Sequence, residues 1–187
     1  MGRDKAALRL GRRSMISLIR ATALTLPWPV RVLRRDRVPR CGPLGGMITA
    51  LQTTRARAVL FLACDMPLVS PALLQRLVAR SRGGTRPVFV VQGRRVGFPL
   101  LLPTGALAEV QSQVARQALS IRELAAALAA HELPVAQSSR NLCNVNAPED
   151  VLVARKFLRE QGVEKSPQSL WSPAFRLSGS GAKQAIA

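Results

Sequence analysis

The sequence predicts an α/β domain built on a mostly parallel sheet. Three observations carry that expectation. Segments of strand length and helix length alternate along the chain. The run Ala58–Cys64 is unbroken apolar, the pattern of a strand covered on both faces. Helix start signals, Ser70-Pro71 and Ser120-Ile-Arg-Glu123, stand where an alternating fold needs them. The length of 187 residues suits one domain.

In chain order, Ala7–Leu10 is a short apolar stretch closed by a turn at Gly11-Arg12-Arg13. Ser14 is placed to cap a helix whose Met15, Leu18 and Ile19 share one face, and Pro27 and Pro29 end it. Val30–Leu33 reads as a strand. The following Asp36–Gly46 is rich in Gly and Pro and reads as a loop that lets a ligand approach the backbone. A helix is predicted over Met47–Thr53. The strand Ala58–Cys64 ends at Asp65-Met66-Pro67, and a helix runs from Pro71 to about Arg82. Strands are predicted at Pro87–Val91 and Gly97–Leu102, then helices at Gly105–Gln117 and Ile121–Ala130. Leu133–Ala136 and Asn141–Val145 are short strand candidates. A last helix starts at Pro148 and ends near Gln161-Gly162. Residues 1–163 thus make one domain, and the Ser-, Pro-, Gly- and Gln-rich 164–187 read as a disordered tail.

Composition removes several classes of function. A hydrophobic content of 48% excludes a wholly disordered chain. No run approaches the 18 apolar residues of a membrane span. The charged start, Met1-Gly2-Arg3-Asp4-Lys5, is unlike a secretory signal, so a cytoplasmic protein is expected. Cys41, Cys64 and Cys143 are too widely spaced for a zinc knuckle or a disulfide framework, and Cys64 reads as a small core residue. The formal net charge is +18, concentrated in the first hundred residues. Nucleic acid is nonetheless a poor fit. Aromatics, the stacking platforms of single-strand binders, make up 4% of the chain, and none alternates with the basic residues. A phosphate-bearing small molecule and a solvated arginine-rich surface both account for the charge.

Acids are scarce, which makes their positions informative. In an α/β sheet, ligands bind at the carboxyl ends of the strands. Asp65 stands at the end of the most apolar strand, where a carboxylate can hold Mg²⁺ against phosphate oxygens; the alternative is a turn cap. His131, the single histidine, is expected at an exposed helix end without a catalytic partner.

These residues resemble a known family, the molybdenum cofactor guanylyltransferases and their relatives. Met1-Gly2-Arg3-Asp4-Lys5-Ala6 is similar to the end of that family's nucleotide-binding signature. Asp36 with Cys41-Gly42-Pro43-Leu44-Gly45-Gly46 resembles its Asp…Gly-Pro-Leu-x-Gly segment. Phe61–Pro67 resembles its metal-binding strand end, and Gly97-Phe98-Pro99-Leu100 its Pro-Leu substrate loop. Asn144–Asp150 resembles its closing Asn-x-Asn-Thr-Pro-Glu-Asp. The matches fall in the family's order over about residues 1–160.

The resemblance implies a Rossmann-like three-layer sandwich of the nucleotide-diphospho-sugar transferase type. It implies transfer of GMP from GTP to molybdopterin cofactor with Mg²⁺ and release of pyrophosphate. Lys5 would contact the triphosphate, and Asp36 either a guanine edge or a ribose hydroxyl. Gly42, Pro43 and Leu44 would shape the nucleotide wall, and Asp65 would hold the metal. Pro99, Asn144 and Asn146 would face the cofactor substrate. Molybdoenzymes or cofactor-insertion proteins would be further partners. CTP, another phosphorylated acceptor, or nucleotide binding without catalysis remain alternatives. The family's first strand and Gly-rich loop precede the position of Met1, so an N-terminally incomplete domain is expected. Ala147 stands where the family has Thr, which removes a helix cap worth roughly 1 kcal/mol.

Overall fold

The chain enters its fold through a small hairpin, β1 (Arg9–Leu10) against β2 (Arg13–Ser14), and turns at once into helix α1 (Met15–Ala23). The computed structural model describes residues 8–33, 35–38, 40–160 and the strand 183–186. Ser14 caps α1 as its sequence position predicts, its Oγ accepting the Ser17 N–H at 3.3 Å. A two-residue strand, β3 (Val30–Arg31), follows.

Helix α2 (Gly42–Thr53) begins five residues before the predicted Met47. Gly and Pro do not break regular structure here. Pro43 occupies the first turn, where a missing N–H costs nothing, and Gly42 takes a φ of +53° that glycine adopts freely. The apolar period starts at Leu44 and continues through Met47, Ile48 and Leu51, all buried.

Strand β4 (Ala58–Phe61) is buried throughout, as its unbroken apolar run requires. It ends three residues earlier than predicted, and Cys64 is exposed rather than a core residue. Helix α3 (Pro71–Arg80) is capped by Ser70 Oγ. Strands β5 (Val88–Gln92) and β6 (Arg95–Pro103) are joined by a two-residue turn with Gly93 at φ +59°, the sign that a tight hairpin needs at its first turn residue. Helices α4 (Leu107–Ala115) and α5 (Ile121–Ala127) lead to β7 (His131–Pro134). His131 therefore opens a strand instead of ending a helix, with its Nε2 3.2 Å from Arg86 Nη1. Asn141–Val145 is not a strand: Arg140–Leu142 form a helical turn. Helix α6 (Pro148–Glu160) and strand β8 (Lys183–Ile186) complete the described elements.

The main sheet has the order β3-β8-β4-β6-β5-β7. It is mixed where alternation predicts a mostly parallel sheet, and the strand that departs from that expectation is β6. The Gly93 hairpin reverses β6, making it antiparallel to both β4 and β5, so two of the three pairings across β4-β6-β5-β7 are antiparallel. β8 pairs in parallel with β3 and with β4, placing Val30, Ala185 and Leu60 in register. This strand lies within the segment predicted to be a disordered tail; residues 161–182 and 187 lie outside the described residues.

Alternation along the strands divides the core. Leu60, Val88, Val90 and Leu101 pack with Ile19, Leu74 and Leu77 of α1 and α3 on one face. Val59, Phe61, Phe89, Leu100 and Leu102 pack with α2, α4 and α5 on the other, giving three layers. A third cluster joins Leu10, Met15 and Leu18 to Leu68, Val145, Ala154 and Leu158, fastening α6 to the first hairpin and α1. No helix among the described residues is long and apolar enough to cross a membrane.

Candidate functional site

Strands β3, β4, β5 and β7 share one direction, so their carboxyl ends lie along one edge of the sheet. The loops leaving that edge carry Asp36 after β3, Asp65 after β4, and Asn144 and Asn146 after β7. Pro99 lies in β6 next to Leu100, which pairs with the last residue of β4, Phe61. Lys5 lies outside the described residues.

Asp65 is half-buried in the turn after β4. The turn is closed by Met66 N–H donating to Ala63 O at 3.2 Å and Val69 N–H to Met66 O at 3.4 Å. The bond that organises this side of the site is between backbones: Val145 N–H donates to Asp65 O at 2.7 Å. Val145 is buried against α1 and α6, whereas Asn144 and Asn146 on either side are exposed. One bond thus draws the Asn144–Asn146 segment onto the Asp65 turn, although the residues are 80 apart in sequence.

Residues that the sequence reading passed over support this juxtaposition. Asn141 Oδ1 accepts the Ser70 N–H at 2.9 Å, tying the segment to the start of α3. Gln92 Nε2 donates to the carbonyls of Ala136, Gln137 and Ser139 at 2.9–3.3 Å. Asp150 Oδ2 accepts the N–H groups of Asn146 and Ala147 at 2.9 and 2.8 Å, which holds its carboxyl below its ordinary pKa. An acid at the third helical position bonding back to the cap N–H is half of a capping box, and it was legible in Ala147-Pro148-Glu149-Asp150. The neighbouring Cys143 thiol is pushed up by burial and then by Asp150.

The second group forms around α2. A Cβ added to Gly45 would lie 2.5 Å from Val38 O and 3.4 Å from Asp36 Oδ2; one on Gly46 would lie 3.3 Å from Asp36 Oδ1. The Asp36 carboxylate therefore rests against a glycine surface at the first turns of α2, where the helix dipole favours an anion. Gly42 and Pro43 are exposed in the same turn. Leu44 is fully buried among Val59, Phe61 and Phe89. Its side chain anchors the helix end in the core. Pro99 is also buried, within the bulge between Phe89 and Val90, and follows a cis peptide bond from Phe98. Arg35, Arg37 and Arg40 are exposed around Asp36 and supply positive charge at this edge.

Among the described residues no three His, Cys, Asp or Glu side chains form a metal cluster. Asp65 is a single, half-buried carboxylate in the turn after β4. Mg²⁺ or Mn²⁺ that keeps water and takes its remaining ligands from phosphate oxygens needs only one or two carboxylates. The donor set fits a cation bridging to a phosphorylated ligand and not a closed protein cage.

Residues 1–135 match the family described as MobA-like NTP transferase domain. A molybdenum cofactor guanylyltransferase from Pseudomonas entomophila is 34% identical over 122 residues, covering 59% of each chain, so the match spans under two thirds of that relative's length. A probable molybdenum cofactor guanylyltransferase from Chloroflexus aggregans is 30% identical over 187 residues, covering 84% of this chain and 88% of its own. Among solved structures, molybdopterin-guanine dinucleotide biosynthesis protein A from Archaeoglobus fulgidus superposes with a TM-score of 0.69 at 16% identity, covering 85% and 92% of the two chains. The 2-C-methyl-D-erythritol 4-phosphate cytidylyltransferase of Thermus thermophilus gives 0.62 at 17% identity over 83% and 94%. The Mycobacterium tuberculosis protein Rv0371c in complex with manganese gives 0.58 at 18% identity over 83% and 93%. These likenesses establish an α/β fold shared with nucleotidyltransferase structures.

Proposed function

The chain belongs to the MobA-like NTP transferase domain family, and from that premise we propose that it transfers GMP from GTP to molybdopterin cofactor with release of pyrophosphate. The observation that carries the proposal is the Val145–Asp65 backbone bond. It draws the Asn144–Asn146 segment to the turn that carries Asp65, a juxtaposition that supports an acceptor site beside a metal-binding carboxylate. Relatives named as molybdenum cofactor guanylyltransferases supply the substrate pair.

The reaction is an in-line displacement. An oxygen of the cofactor's terminal phosphate attacks the α-phosphorus of GTP, and the bond from that phosphorus to the oxygen bridging the β-phosphate breaks, so pyrophosphate leaves. Positioning and electrostatics account for the chemistry, and no covalent enzyme intermediate is formed. Asp65 holds Mg²⁺ or Mn²⁺, which when bound neutralises phosphate charge. Asn144 and Asn146 orient the cofactor substrate, with Pro99 shaping β6 opposite the end of β4. Asp36 binds the nucleoside, Gly42 and Pro43 form its wall, and Lys5 contacts the triphosphate. The reaction belongs to the cytoplasm, with molybdoenzymes or insertion proteins receiving the product. CTP is the second reading, favoured by the likeness to a cytidylyltransferase.

Purified protein with Mg²⁺, molybdopterin cofactor and GTP is expected to release pyrophosphate, and Asp65→Ala to lower the rate about 100-fold or more. Release with CTP alone would overturn the choice of base. Tight GTP binding without release would overturn catalysis.

A further inference from the structure

Thr49, on the buried face of α2, is 4% exposed, and its hydroxyl makes two bonds. It donates to Gly45 O, one turn back, at 2.9 Å, and it accepts the Arg37 N–H at 2.9 Å. The first bond stays within the helix. The second reaches out to the loop, and it captures the residue next to Asp36. From that juxtaposition we propose that Thr49 is a positioning residue: it docks the 35–38 loop onto α2 and thereby fixes the Asp36 carboxylate for the nucleoside, without touching the ligand. The inference rests on Asp36 contacting the nucleoside, as in the proposed function.

The geometry gives this a second support. The loop lies so close to α2 that a Cβ at Gly45 would meet the Val38 carbonyl at 2.5 Å, and carbonyl oxygen of the backbone cannot swing aside as a side-chain end can. The Thr49 bond and the bare surface of Gly45 therefore act together. One pulls the loop in, and the other leaves room for it. Asp36 itself is exposed and sits on a loop, so its direction depends on how closely that loop, and with it the carboxylate, is held against the glycine surface of α2. A carboxylate held in advance loses less conformational freedom when it binds. The expected signature is thus in nucleotide affinity and not in the chemical step.

Thr49→Val keeps the shape and removes the hydroxyl; Thr49→Ser restores the hydroxyl. In the full chain, Thr49→Val is expected to speed hydrogen exchange of the Arg37 amide about tenfold and to raise the GTP Kd and KM about tenfold, with kcat within twofold. Thr49→Ser is expected to recover both readouts. Unchanged Arg37 exchange in Thr49→Val would overturn the docking. Faster exchange with GTP affinity within twofold of the wild type would overturn the role in binding. Should Thr49→Val not fold, Gly45→Ala displaces the same loop with the hydroxyl intact and is expected to raise the GTP Kd similarly; unchanged affinity there would overturn the inference. A wild type that binds no GTP fails the proposed function, whereas the Arg37 exchange measurement reads the docking by itself.

Discussion

Asp150 supplies from within α6 the cap that Ala147 cannot supply from its start. Its carboxylate takes both the Asn146 and Ala147 N–H groups, and this holds its pKa below the ordinary 3.8. Stability from this contact is complete above 3.8 and is lost as the pH falls through the lowered native value. Asp150→Ala is therefore expected to be less stable than the wild type at neutral pH, with the difference closing as the pH falls through that range in denaturant titrations. A difference that persists at the acid end would assign the effect to packing. The place of Asp65 in the turn after β4 was legible at this scale, because the unbroken apolar run before it stops at a lone acid. Thr49 and Asn141 were not, because a hydroxyl or amide in a helix or turn has no partner in sequence that announces a tertiary bond. Leu44 stands inside a ligand-like motif, and the apolar period that starts α2 places its side chain in the core.

At the scale of elements, capping chemistry was the most transferable signal. Ser14, Ser70 and Ser120 each accept an N–H three residues on, as their positions predict. The helix α2 was predicted too late because Gly and Pro were read as breakers, although Pro is welcome in a first helical turn. Its buried end gives a direct test. Leu44 is fully buried between α2 and the sheet, so Leu44→Ala is expected to cost about 2–5 kcal/mol in chemical denaturation. A cost under about 1 kcal/mol would mean that this end of α2 does not hold the sheet. The reversal of β6 escapes the sequence for a comparable reason. Alternating strands and helices suggested parallel pairing, while Gln92-Gly93-Arg94-Arg95 carried a two-residue turn that reverses β6.

Across the whole molecule, β8 is the element that the sequence hid most completely. Lys183–Ile186 is too short, and too far from other apolar periods, to stand out from the surrounding Ser, Gly and Pro. In the fold it fills the space between β3 and β4, which lie two strand spacings or about 10 Å apart. The loops bearing Asp36 and Asp65 leave the sheet on either side of it. Ala185→Pro removes an N–H from the middle of this strand and is expected to raise hydrogen exchange at Val59–Phe61; unchanged exchange there would show that β4 does not depend on β8. The net charge of +18 also reads differently at this scale. Part of it, Arg35, Arg37 and Arg40, stands at the edge where the candidate residues gather. The most direct test of the central claim is the mass of the product formed from molybdopterin cofactor and an equimolar mixture of GTP and CTP. The account expects the cofactor to gain a guanylyl group, with pyrophosphate released in equal amount. A cytidylyl product, or nucleotide hydrolysis with the cofactor unchanged, would contradict it.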